Sequence, residues 1–563
     1  MSLSKPARTV QWLLLWALFY SLLAPTPAFA GSGCVATVHP LATDAGLAAL
    51  ERGGNAVDAA VAAALTLGVV DPSNSGIGGG CFVVLRLADG TIAAIDGREI
   101  AGAKATPDLY VRDGEVQPQL ARKGPLAVAV PGAIAAYDHA TRQFGRLTLA
   151  DLLLPAAELA ERGFPIDAGY AGRFRSAAKD FAQDPGCRQV FLHADGSPLR
   201  EGELLKQTDL ARAYRAVAEH GIDWFYHGPL AQQVEAWMAA NGGILTAGDF
   251  AAYQAHQREP VVGSYRGLTV VSMPPPSSGG VHVVQILNIL EQFDLRELHR
   301  RDPVQFYHVL AEAMKLAFAD RAFWLGDPDF ANVPKGLVDK DYAARLARQI
   351  QLDKVAEIAG HGEPPGADAD FFRKHTTHVA AADAEGNWVA LTATINTGFG
   401  ARVMVPGTGI LLNNEMDDFS AAAGTPNAFG LVGSDANAIG PHKRPLSSMS
   451  PTIVLKDGRP VFTAGAAGGP RIITQVVQAL VYHFDLNMDP ADTLAAKRIH
   501  HQWSPNTLYV ERGFAPDIAE RLGELGHGIT VSGTGVVQAI GQTADSQWIG
   551  VHDPRVRGKA AHR

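Results

Sequence analysis

The stretch that decides the fold is HTTHVAAADAEGNWVALTATINTGFG, residues 375–400. Two apolar runs, Val379–Ala382 and Trp388–Ala393, flank the polar segment DAEGN, and this pattern predicts a β-hairpin. Residues that face each other in an antiparallel pair lie side by side. We therefore expect Thr376 and Thr394 to be neighbours at the open end of the hairpin.

The segment just before this hairpin has the composition of a linker. Residues 360–370 read GHGEPPGADAD, which is rich in glycine, proline and acidic residues. Such a segment cannot build a core and is expected to be exposed or mobile. A mobile tether that leads into a strand beginning with threonine is the arrangement that a self-processing enzyme requires.

Strand-like and helix-like segments alternate along the chain. Leu41–Val70 predicts two helices joined by a turn at Gly53-Gly54-Asn55, and the second, Ala56–Val69, is apolar enough to be buried. Further predicted strands are Cys81–Leu87, Thr91–Ile95, Leu268–Met273, Ser450–Leu455 and Val461–Gly465. Further predicted helices are Leu149–Arg162, Thr208–His220, Pro229–Ala240, Pro303–Leu325, Ile472–Tyr482 and Pro516–Leu525. This interleaving predicts α/β or α+β layering.

A glycine-rich loop, GIGGG at residues 76–80, leads directly into the strand Cys81–Leu87. No Gly-Lys-Ser/Thr follows it, so phosphate binding is not favoured. Close backbone approach in a crowded core is the better interpretation.

Several longer motifs occur in a fixed order on both sides of the linker. They are GGNAVDAAVA (53–62), GIGGGCF (76–82), DGRE (96–99), AVAVPG (127–132), MPPPSSGG (273–280), the hairpin stretch (375–400), GILLNNEMDDFS (409–420), GPHKRPLSSMSPT (440–452) and GAAGGPRI (465–472). Together they resemble the γ-glutamyltransferases (γ-glutamyltranspeptidases). The resemblance implies an α+β fold, a four-layer αββα sandwich of the N-terminal-nucleophile hydrolase class, in which two autoprocessed subunits are intertwined in one body.

The resemblance also implies a cut between His375 and Thr376, giving a large subunit, 31–375, and a small catalytic subunit, 376–563. The chemistry is consistent with this. Cleavage gives Thr376 a free α-amine with a pKa of about 7.7–8.0, which can accept the hydroxyl proton. Thr376 then becomes nucleophile and base in one residue. By resemblance, Thr394 hydrogen-bonds Thr376 and assists; a purely structural cross-strand Thr–Thr bond has the same geometry.

A γ-glutamyl substrate carries an α-carboxylate and an α-ammonium, so its site must present both signs of charge. By resemblance, the residues on the carboxylate are Arg98, Ser447 and Ser448. Those on the ammonium are Asn396, Glu415 and Asp418. A guanidinium can hold a carboxylate through two bonds. The structural alternatives are a surface salt bridge for Arg98, a turn for the serines and a helix cap for Asp418.

Two further features complete the expected site. Gly468 and Gly469 offer consecutive backbone N–H groups for the oxyanion, and losing one such donor typically costs about 3 kcal/mol. The stretch 419–444 resembles the lid loop of bacterial members, many of which carry a lid tyrosine. This chain has Phe429, whose ring lacks a hydroxyl to bond a neighbour such as Asn396. We therefore expect a looser gate.

The N-terminus predicts export. Lys5 and Arg8 precede the apolar run Trp12–Ala24, and the small-residue exit Ala28-Phe29-Ala30 follows, the order of a secretory signal peptide over residues 1–30. We expect a periplasmic or secreted protein. The formal net charge of −9 argues against nucleic acid as the main partner.

Cysteine and histidine content points to no metal centre. Three cysteines, Cys34, Cys81 and Cys187, cannot all pair within the chain and lack zinc-site spacing. His500 and His501 are adjacent, so one metal would rarely take both side chains. Neither the residues nor the resemblance implies a metal or an organic cofactor. The expected partners are γ-glutamyl compounds such as glutathione, and water or amino-acid and peptide acceptors.

Three alternatives remain. A related acylase that removes glutaryl groups from β-lactams would share Thr376 and the two glycines but need less recognition of an α-ammonium. A serine amidase using Ser447 or Ser448 lacks a Gly-x-Ser-x-Gly motif. A non-catalytic binding protein would never be cleaved.

Overall fold

The structure is a computed structural model that describes residues 33–365, 377–420, 427–430, 435–543, 545 and 547–563. The predicted signal peptide, 1–30, and both residues of the expected cleavage site, His375 and Thr376, lie outside the described residues.

The strands are β1 Gly33–Thr37, β2 Gly80–Arg86, β3 Ile92–Gly97, β4 Val111–Arg112, β5 Glu115–Val116, β6 Phe164–Pro165, β7 Leu204–Leu205, β8 His256–Arg258, β9 Val261–Tyr265, β10 Leu268–Ser272, β11 Thr377–Asp383, β12 Trp388–Thr394, β13 Thr452–Lys456, β14 Arg459–Ala467, β15 Ile499–His501, β16 Leu508–Glu511, β17 Ile529–Ser532, β18 Val536–Gln542, β19 Trp548–His552 and β20 Lys559–His562.

The α-helices are α1 Pro40–Glu51, α2 Ala56–Val70, α3 Ala133–Phe144, α4 Leu149–Arg162, α5 Ala168–Phe181, α6 Pro185–Phe191, α7 Thr208–His220, α8 Asp223–Tyr226, α9 Pro229–Asn241, α10 Ala247–Ala251, α11 Gly279–Leu290, α12 Leu295–Arg301, α13 Pro303–Trp324, α14 Lys340–Ala347, α15 Arg471–Phe484, α16 Pro490–Ala495 and α17 Pro516–Glu524. Short 3₁₀ turns cover Pro118–Ala121, Pro125–Ala127, Lys335–Val338, Glu415–Asp418 and Asp435–Asn437.

Two antiparallel sheets form the centre of the molecule. One has seven strands in the order β20-β1-β11-β12-β2-β3-β8, and the other has six in the order β19-β18-β14-β13-β10-β9. Small and apolar side chains fill the space between them, among them Ala380, Ala382, Phe82 and Ile453. Strand alternation explains this, because the intervening residues Val379 and Ala381 face the opposite side.

Helices cover the outer face of each sheet. Helices α1 to α3 bury their apolar faces against the seven-stranded sheet, and α4 packs on α2. Helices α11 and α15 cover the six-stranded sheet, and α13 packs on α11. Helix α2 is buried along its whole length, as its apolar sequence predicts. The resulting order of layers is helix, sheet, sheet, helix, so the predicted αββα sandwich is confirmed.

The predicted hairpin is present. Thr377 pairs with Ala393 and Ala382 with Trp388 across β11 and β12, and the Asp383 carboxylate closes the turn by accepting from Asn387. The glycine-rich loop also behaves as expected. A Cβ on Gly79 would lie 1.9 Å from the carbonyl oxygen of Thr394, and one on Gly78 would lie 2.1 Å from that of Leu411.

The sequence patterns missed some elements. The terminal strands β1 and β20 pair with each other, and β1 also pairs with β11, although neither segment was predicted as a strand. Helix α11 also went unpredicted. Cys34, Cys81 and Cys187 are buried and free. Within the parts of the chain that the structure describes, no helix is both long and apolar enough to cross a bilayer.

Candidate active site

The open end of the hairpin lies against the glycine loop. Thr394 is the last residue of β12, is fully buried and pairs with Gly80 at the start of β2. Its Oγ1 accepts a hydrogen bond of 2.8 Å from the backbone N–H of Asn396. Thr377, at the start of β11, is the first described residue after the expected cleavage point. The predicted contact between Thr376 and Thr394 lies outside the described residues and stays a prediction.

A buried ionic cluster lies at the same end of the seven-stranded sheet. Arg98 follows β3 and is 0% exposed. Its Nη1 is 2.8 Å from the Oε2 of Glu415, and its Nη2 pairs with the Asp418 carboxylate. Both acids belong to the 3₁₀ turn Glu415–Asp418. The surface salt bridge considered for Arg98 is therefore wrong, and Asp418 lies within the turn rather than capping a helix.

Electrostatic coupling fixes the charge state of this cluster. Burial lowers the pKa of the Arg98 guanidinium, but Glu415 and Asp418 raise it by more, so its pKa exceeds that of a free arginine. Glu99 is also fully buried, and burial raises its pKa to about 7 against the lowering effect of Arg98. The cluster thus contains one permanent cation, and its Glu99 carboxyl holds a proton more tightly than a free glutamate does.

The predicted serines lie in the loop before β13. Ser447 and Ser448 are both fully buried. The Ser447 backbone carbonyl accepts from the N–H and the hydroxyl of Ser278, so the motifs at 273–280 and 440–452 meet here. Ser448 Oγ accepts a 2.5 Å bond from Nη2 of Arg321.

Arg321, on α13, is a functional candidate that the sequence analysis missed. It is fully buried and also donates from Nε to Ser278 Oγ at 2.7 Å. Burial lowers the pKa of its guanidinium, and the nearby Asp418 opposes that shift. The available signal was a pair of adjacent charged residues, Asp320 and Arg321, in an otherwise apolar stretch of helix, LAFADRAFW at 316–324.

Asn396 has an unusual backbone conformation. Its φ is 71°, in the left-handed region that side chains rarely adopt. Its Nδ2 donates to the Asn414 carbonyl at 2.9 Å. Its Oδ1 is buried and has no hydrogen-bond partner among the described residues. An orphaned buried acceptor of this kind is available to a ligand.

Gly468 and Gly469 form the turn between β14 and α15. Their φ values are 132° and 73°, which favour glycine. Within the described residues, neither backbone N–H donates a hydrogen bond. Both groups also precede the N-terminus of a helix of 14 residues, where the helix dipole favours negative charge.

Of the expected lid stretch, 419–444, the structure describes residues 419–420, 427–430 and 435–444. Phe429 is half-buried and packs against the core beneath the six-stranded sheet. Its carbonyl accepts from Gln502 Nε2 at 3.4 Å, while Asn427 and Ala428 donate to Asp417. The lid is therefore tied to the turn that carries Glu415 and Asp418.

Among the described residues, three buried side chains of types that bind metals lie close together. Ligand atoms of His308, Glu312 and His527 lie within 4.8 Å of one another. They already bind one another or a cation: His308 Nδ1 is 2.8 Å from His527 Nε2, and Lys315 Nζ is 2.6 Å from Glu312 Oε1. His500 and His501 have separate hydrogen-bond partners in the core.

Comparison with known proteins decides the family. The family model described as gamma-glutamyltranspeptidase matches residues 42–563. The chain belongs to the γ-glutamyltranspeptidase family. It is similar to the glutathione hydrolase proenzyme of Escherichia coli (strain K12), with 43% identity over 537 residues, 94% of this chain and 91% of the relative.

Some of the proteins that this chain is similar to carry acylase names. An acylase ACY 1 proenzyme from Pseudomonas sp. (strain SE83) is 40% identical over 90% of this chain and 88% of its own length. The crystal structure of a cephalosporin acylase from Bacillus halodurans superposes with a TM-score of 0.84 at 30% identity, covering 100% of this chain and 98% of that one. The predictions of fold and of an enzyme that hydrolyses and transfers γ-glutamyl groups are confirmed.

Proposed function

We propose that this chain cleaves itself between His375 and Thr376 and that the new N-terminal threonine attacks γ-glutamyl amides such as glutathione. The γ-glutamyl group would form an ester with Thr376 and then pass to water or to an amino-acid or peptide amine. The observation that carries the proposal is the buried cluster of Arg98, Glu415 and Asp418 at the hairpin end that Thr376 precedes.

The nucleophile acts through its own α-amine. After cleavage, that amine removes the proton from the Thr376 hydroxyl, directly or through a water, as the oxygen attacks the amide carbon. Thr394 is positioned to support this step, since its buried hydroxyl lies at the end of the neighbouring strand. The amine then returns the proton to the departing nitrogen.

Recognition of the donor uses charges already present in the site. A γ-glutamyl group brings one carboxylate and one ammonium, so it adds no net charge to the buried cluster. The carboxylate suits the guanidinium of Arg98 with the Ser447 and Ser448 hydroxyls. The ammonium suits Glu415 and Asp418 together with the unpartnered Oδ1 of Asn396.

The oxyanion would be held by the glycine turn. The N–H groups of Gly468 and Gly469 have no acceptor among the described residues and lie before the N-terminus of α15. Donors that are fixed in place before the reaction stabilise developing negative charge without reorganising.

A denaturing gel tests the processing step. We expect two bands, with Edman sequencing of the smaller starting Thr-Thr-His-Val. Thr376→Ala should leave one full-length, inactive band, whereas Thr376→Ser should still be cleaved and keep some activity. Two bands from the alanine variant would contradict the mechanism.

Matched anilides separate the two candidate activities. Acylase relatives motivate the comparison. γ-Glutamyl-p-nitroanilide and glutaryl-p-nitroanilide differ only in the α-amine, so recognition by Glu415 and Asp418 predicts at least a tenfold preference for the γ-glutamyl compound in kcat/KM. Each measurement is made with and without glycylglycine. A preference for the glutaryl compound would favour the acylase.

The family also bears on organisation and location. We propose a signal peptide over 1–30, a large piece of 31–375 and a small piece of 376–563 that stay together as a heterodimer. Export to the periplasm or the medium follows from the N-terminal pattern. N-terminal sequencing of the large piece from a periplasmic extract checks both statements.

A further inference from the structure

A groove of about 780 Å³ lies beside strand β9, and we call it the β9 groove. It is lined by β9, by the start of α11, by the two prolines that follow β10 and by the loop between α13 and α14. Two of its apolar side chains are largely exposed, Val262 at 54% and Phe330 at 55%. Its volume lies within the range of binding sites, and exposed apolar surface in a groove commonly marks a docking surface.

Strand β9 has one unpaired edge among the described strands, because it is the last strand of the six-stranded sheet. It joins β10 through a two-residue turn, and Tyr265 pairs with Leu268. In such a hairpin every second residue points its backbone groups away from the partner strand. Val262 and Ser264 therefore face outward, and the Ser264 carbonyl accepts a 2.6 Å bond from Lys340 Nζ. No described residue bonds the backbone of Val262 from that side, so β9 has room for another strand.

The described chain before the expected cut ends beside this groove. Pro365 packs on Gly336, since a Cβ on Gly336 would lie 2.4 Å from the Pro365 carbonyl oxygen. Gly336 belongs to the 3₁₀ turn Lys335–Val338, whose first and last residues line the groove. The next ten residues, 366–375, read GADADFFRKH, and we call them the tail. Ten extended residues span up to about 35 Å, more than the length of the five-residue strand β9.

The groove has three charged side chains. Asp329 is already held by Arg258, whose Nη2 lies 2.7 Å from the Asp329 carboxylate. Glu259 and Lys335 are exposed, and neither forms an ion pair with a described residue. One charge of each sign is therefore left for a ligand that carries both.

Glu259 and Lys335 lie towards opposite ends of β9. Glu259 comes just before the strand. The turn that Lys335 opens leads into Lys340, which bonds the carbonyl of Ser264 near the end of the strand. The tail has acidic, aromatic and basic pairs in that order, Asp368 and Asp370, Phe371 and Phe372, and Arg373 and Lys374. A tail that leaves Pro365 near Lys335 and runs towards Glu259 is antiparallel to β9 and brings opposite charges together at both ends.

The groove lies to one side of the strand that begins after Thr376. Strand β11 packs over β14 and β18, and β9 lies three strands beyond β14. Neighbouring strands are about 4.8 Å apart and packed sheets about 10 Å apart, so β9 and β11 are separated by more than about 14 Å. In the uncleaved chain Arg373 is four residues from Thr377 and reaches at most about 14 Å. The basic end of the tail therefore reaches Glu259 only after the cut.

We propose that, after self-cleavage, the tail docks in the β9 groove as an added strand antiparallel to β9. The inference rests on the proposed function. Main-chain bonds to the sheet edge hold the tail, and its side chains select the groove. The phenylalanines pack against Val262 and Phe330, the acidic residues pair with Lys335, and Arg373 pairs with Glu259. Docking keeps the new carboxyl end away from Thr376 and leaves the donor site open.

Trimming by chymotrypsin tests the docking, because this protease cleaves after phenylalanine. The intact mass of the large piece reports the loss of residues after Phe371 or Phe372. We expect the cleaved wild type to lose them about tenfold or more slowly than the free peptide GADADFFRKH does, since a docked segment must open before it is cut.

Variants of the groove test the contacts. Val262→Lys places a charge on the apolar wall, and Glu259→Arg repels Arg373, so each should speed trimming about fivefold or more. Glu259→Arg combined with Arg373→Glu should trim slowly again. Val531→Lys is the matched control and should trim like the wild type, because Val531 is an exposed valine on β17 outside the groove.

The outcomes separate the two proposals. A wild type that shows two bands on a denaturing gel but is trimmed as fast as the free peptide overturns the docking and leaves the proposed function standing. The same holds if the groove variants are trimmed no faster than the wild type. Fast trimming of Glu259→Arg without rescue by Arg373→Glu overturns the antiparallel direction. A single full-length band means that no cut end exists, and both proposals fail.

Discussion

Arg98 shows how single residues determine this site. A charge buried without a partner is expensive, and removing one partner of a buried pair typically costs about 3–5 kcal/mol. Arg98 has no solvent access and is balanced by Glu415 and Asp418. The cluster is therefore assembled before any substrate binds, and under the proposed function a γ-glutamyl group would exchange ion pairs rather than create them.

Glu99 should make stability depend on pH. Its folded pKa of about 7 lies above the ordinary value of 4.5, so the folded state binds the proton more tightly between these values. Its stabilising contribution is full below about pH 4.5 and is lost as the pH rises through 7. Glutamine does not titrate, so the unfolding free energy of Glu99→Gln minus that of the wild type should rise by about 1–3 kcal/mol from pH 5 to pH 8. Urea denaturation at both pH values measures this. A difference that is flat with pH would show that Glu99 titrates normally.

Phe429 should set how tightly the lid closes. Phe429→Tyr adds a hydroxyl able to make a hydrogen bond worth about 1 kcal/mol, or roughly fivefold in an equilibrium. We expect the kcat/KM for bulkier acyl groups, relative to that for the γ-glutamyl group, to be about fivefold lower in the tyrosine variant. Phe429→Leu, which adds no hydroxyl, should not narrow the range. An unchanged range and turnover in the tyrosine variant would contradict the looser gate.

At the scale of elements, backbone contact builds the site. The glycine loop before β2 touches the carbonyl of Thr394 so closely that no side chain fits between them. Strand β12 is thereby held against β2 at the point where the hairpin opens. Neighbouring strands give the positions of Thr394 and Asn396 a precision that loops alone would not.

Gly79→Ala should disrupt this contact. A Cβ there lies 1.9 Å from a backbone oxygen, and overpacking that shifts the backbone typically costs about 1–3 kcal/mol. We expect a lower melting temperature and loss of cleavage on a denaturing gel. Gly523→Ala is the control, because its Cβ meets nothing within 4 Å in α17 and a helical alanine is favoured by up to about 1 kcal/mol. Normal cleavage in Gly79→Ala would refute the role of this contact.

At the scale of the whole molecule, the two expected pieces share both sheets. Strand β1 of the larger piece lies between β20 and β11 of the smaller, and β2 pairs with β12. In the other sheet, β10 of the larger piece pairs with β13 of the smaller. A single backbone cut before Thr376 breaks none of these ladders.

The cleaved protein should therefore behave as one particle. We expect a single peak in native size-exclusion chromatography, containing both bands on a denaturing gel, and separation of the pieces only in denaturant. Uncleaved Thr376→Ala should elute at the same volume. Dissociation of the cleaved pieces in plain buffer would contradict the shared-sheet arrangement.

Local patterns sufficed for much of the fold. Hydrophobic patterns and turn residues close together in the chain predict the hairpin β11–β12 and the helices α1 and α2. Glycine geometry predicts the close contact of the glycine loop. Strands β1 and β20 could not be found in this way, because short segments at opposite ends of the described chain become strands only by pairing with each other. Arg321 was missed for a similar reason: its serine partners come from other parts of the chain.

The sequence by itself determined the family, the order of the motifs and the residue types available for chemistry, because these are written in local pattern. The tertiary structure alone decided that Arg98 is buried between two carboxylates and that the strands β1 and β20 pair in one sheet. These properties depend on residues hundreds of positions apart, and their burial and pairing are set by packing rather than by neighbours in the chain.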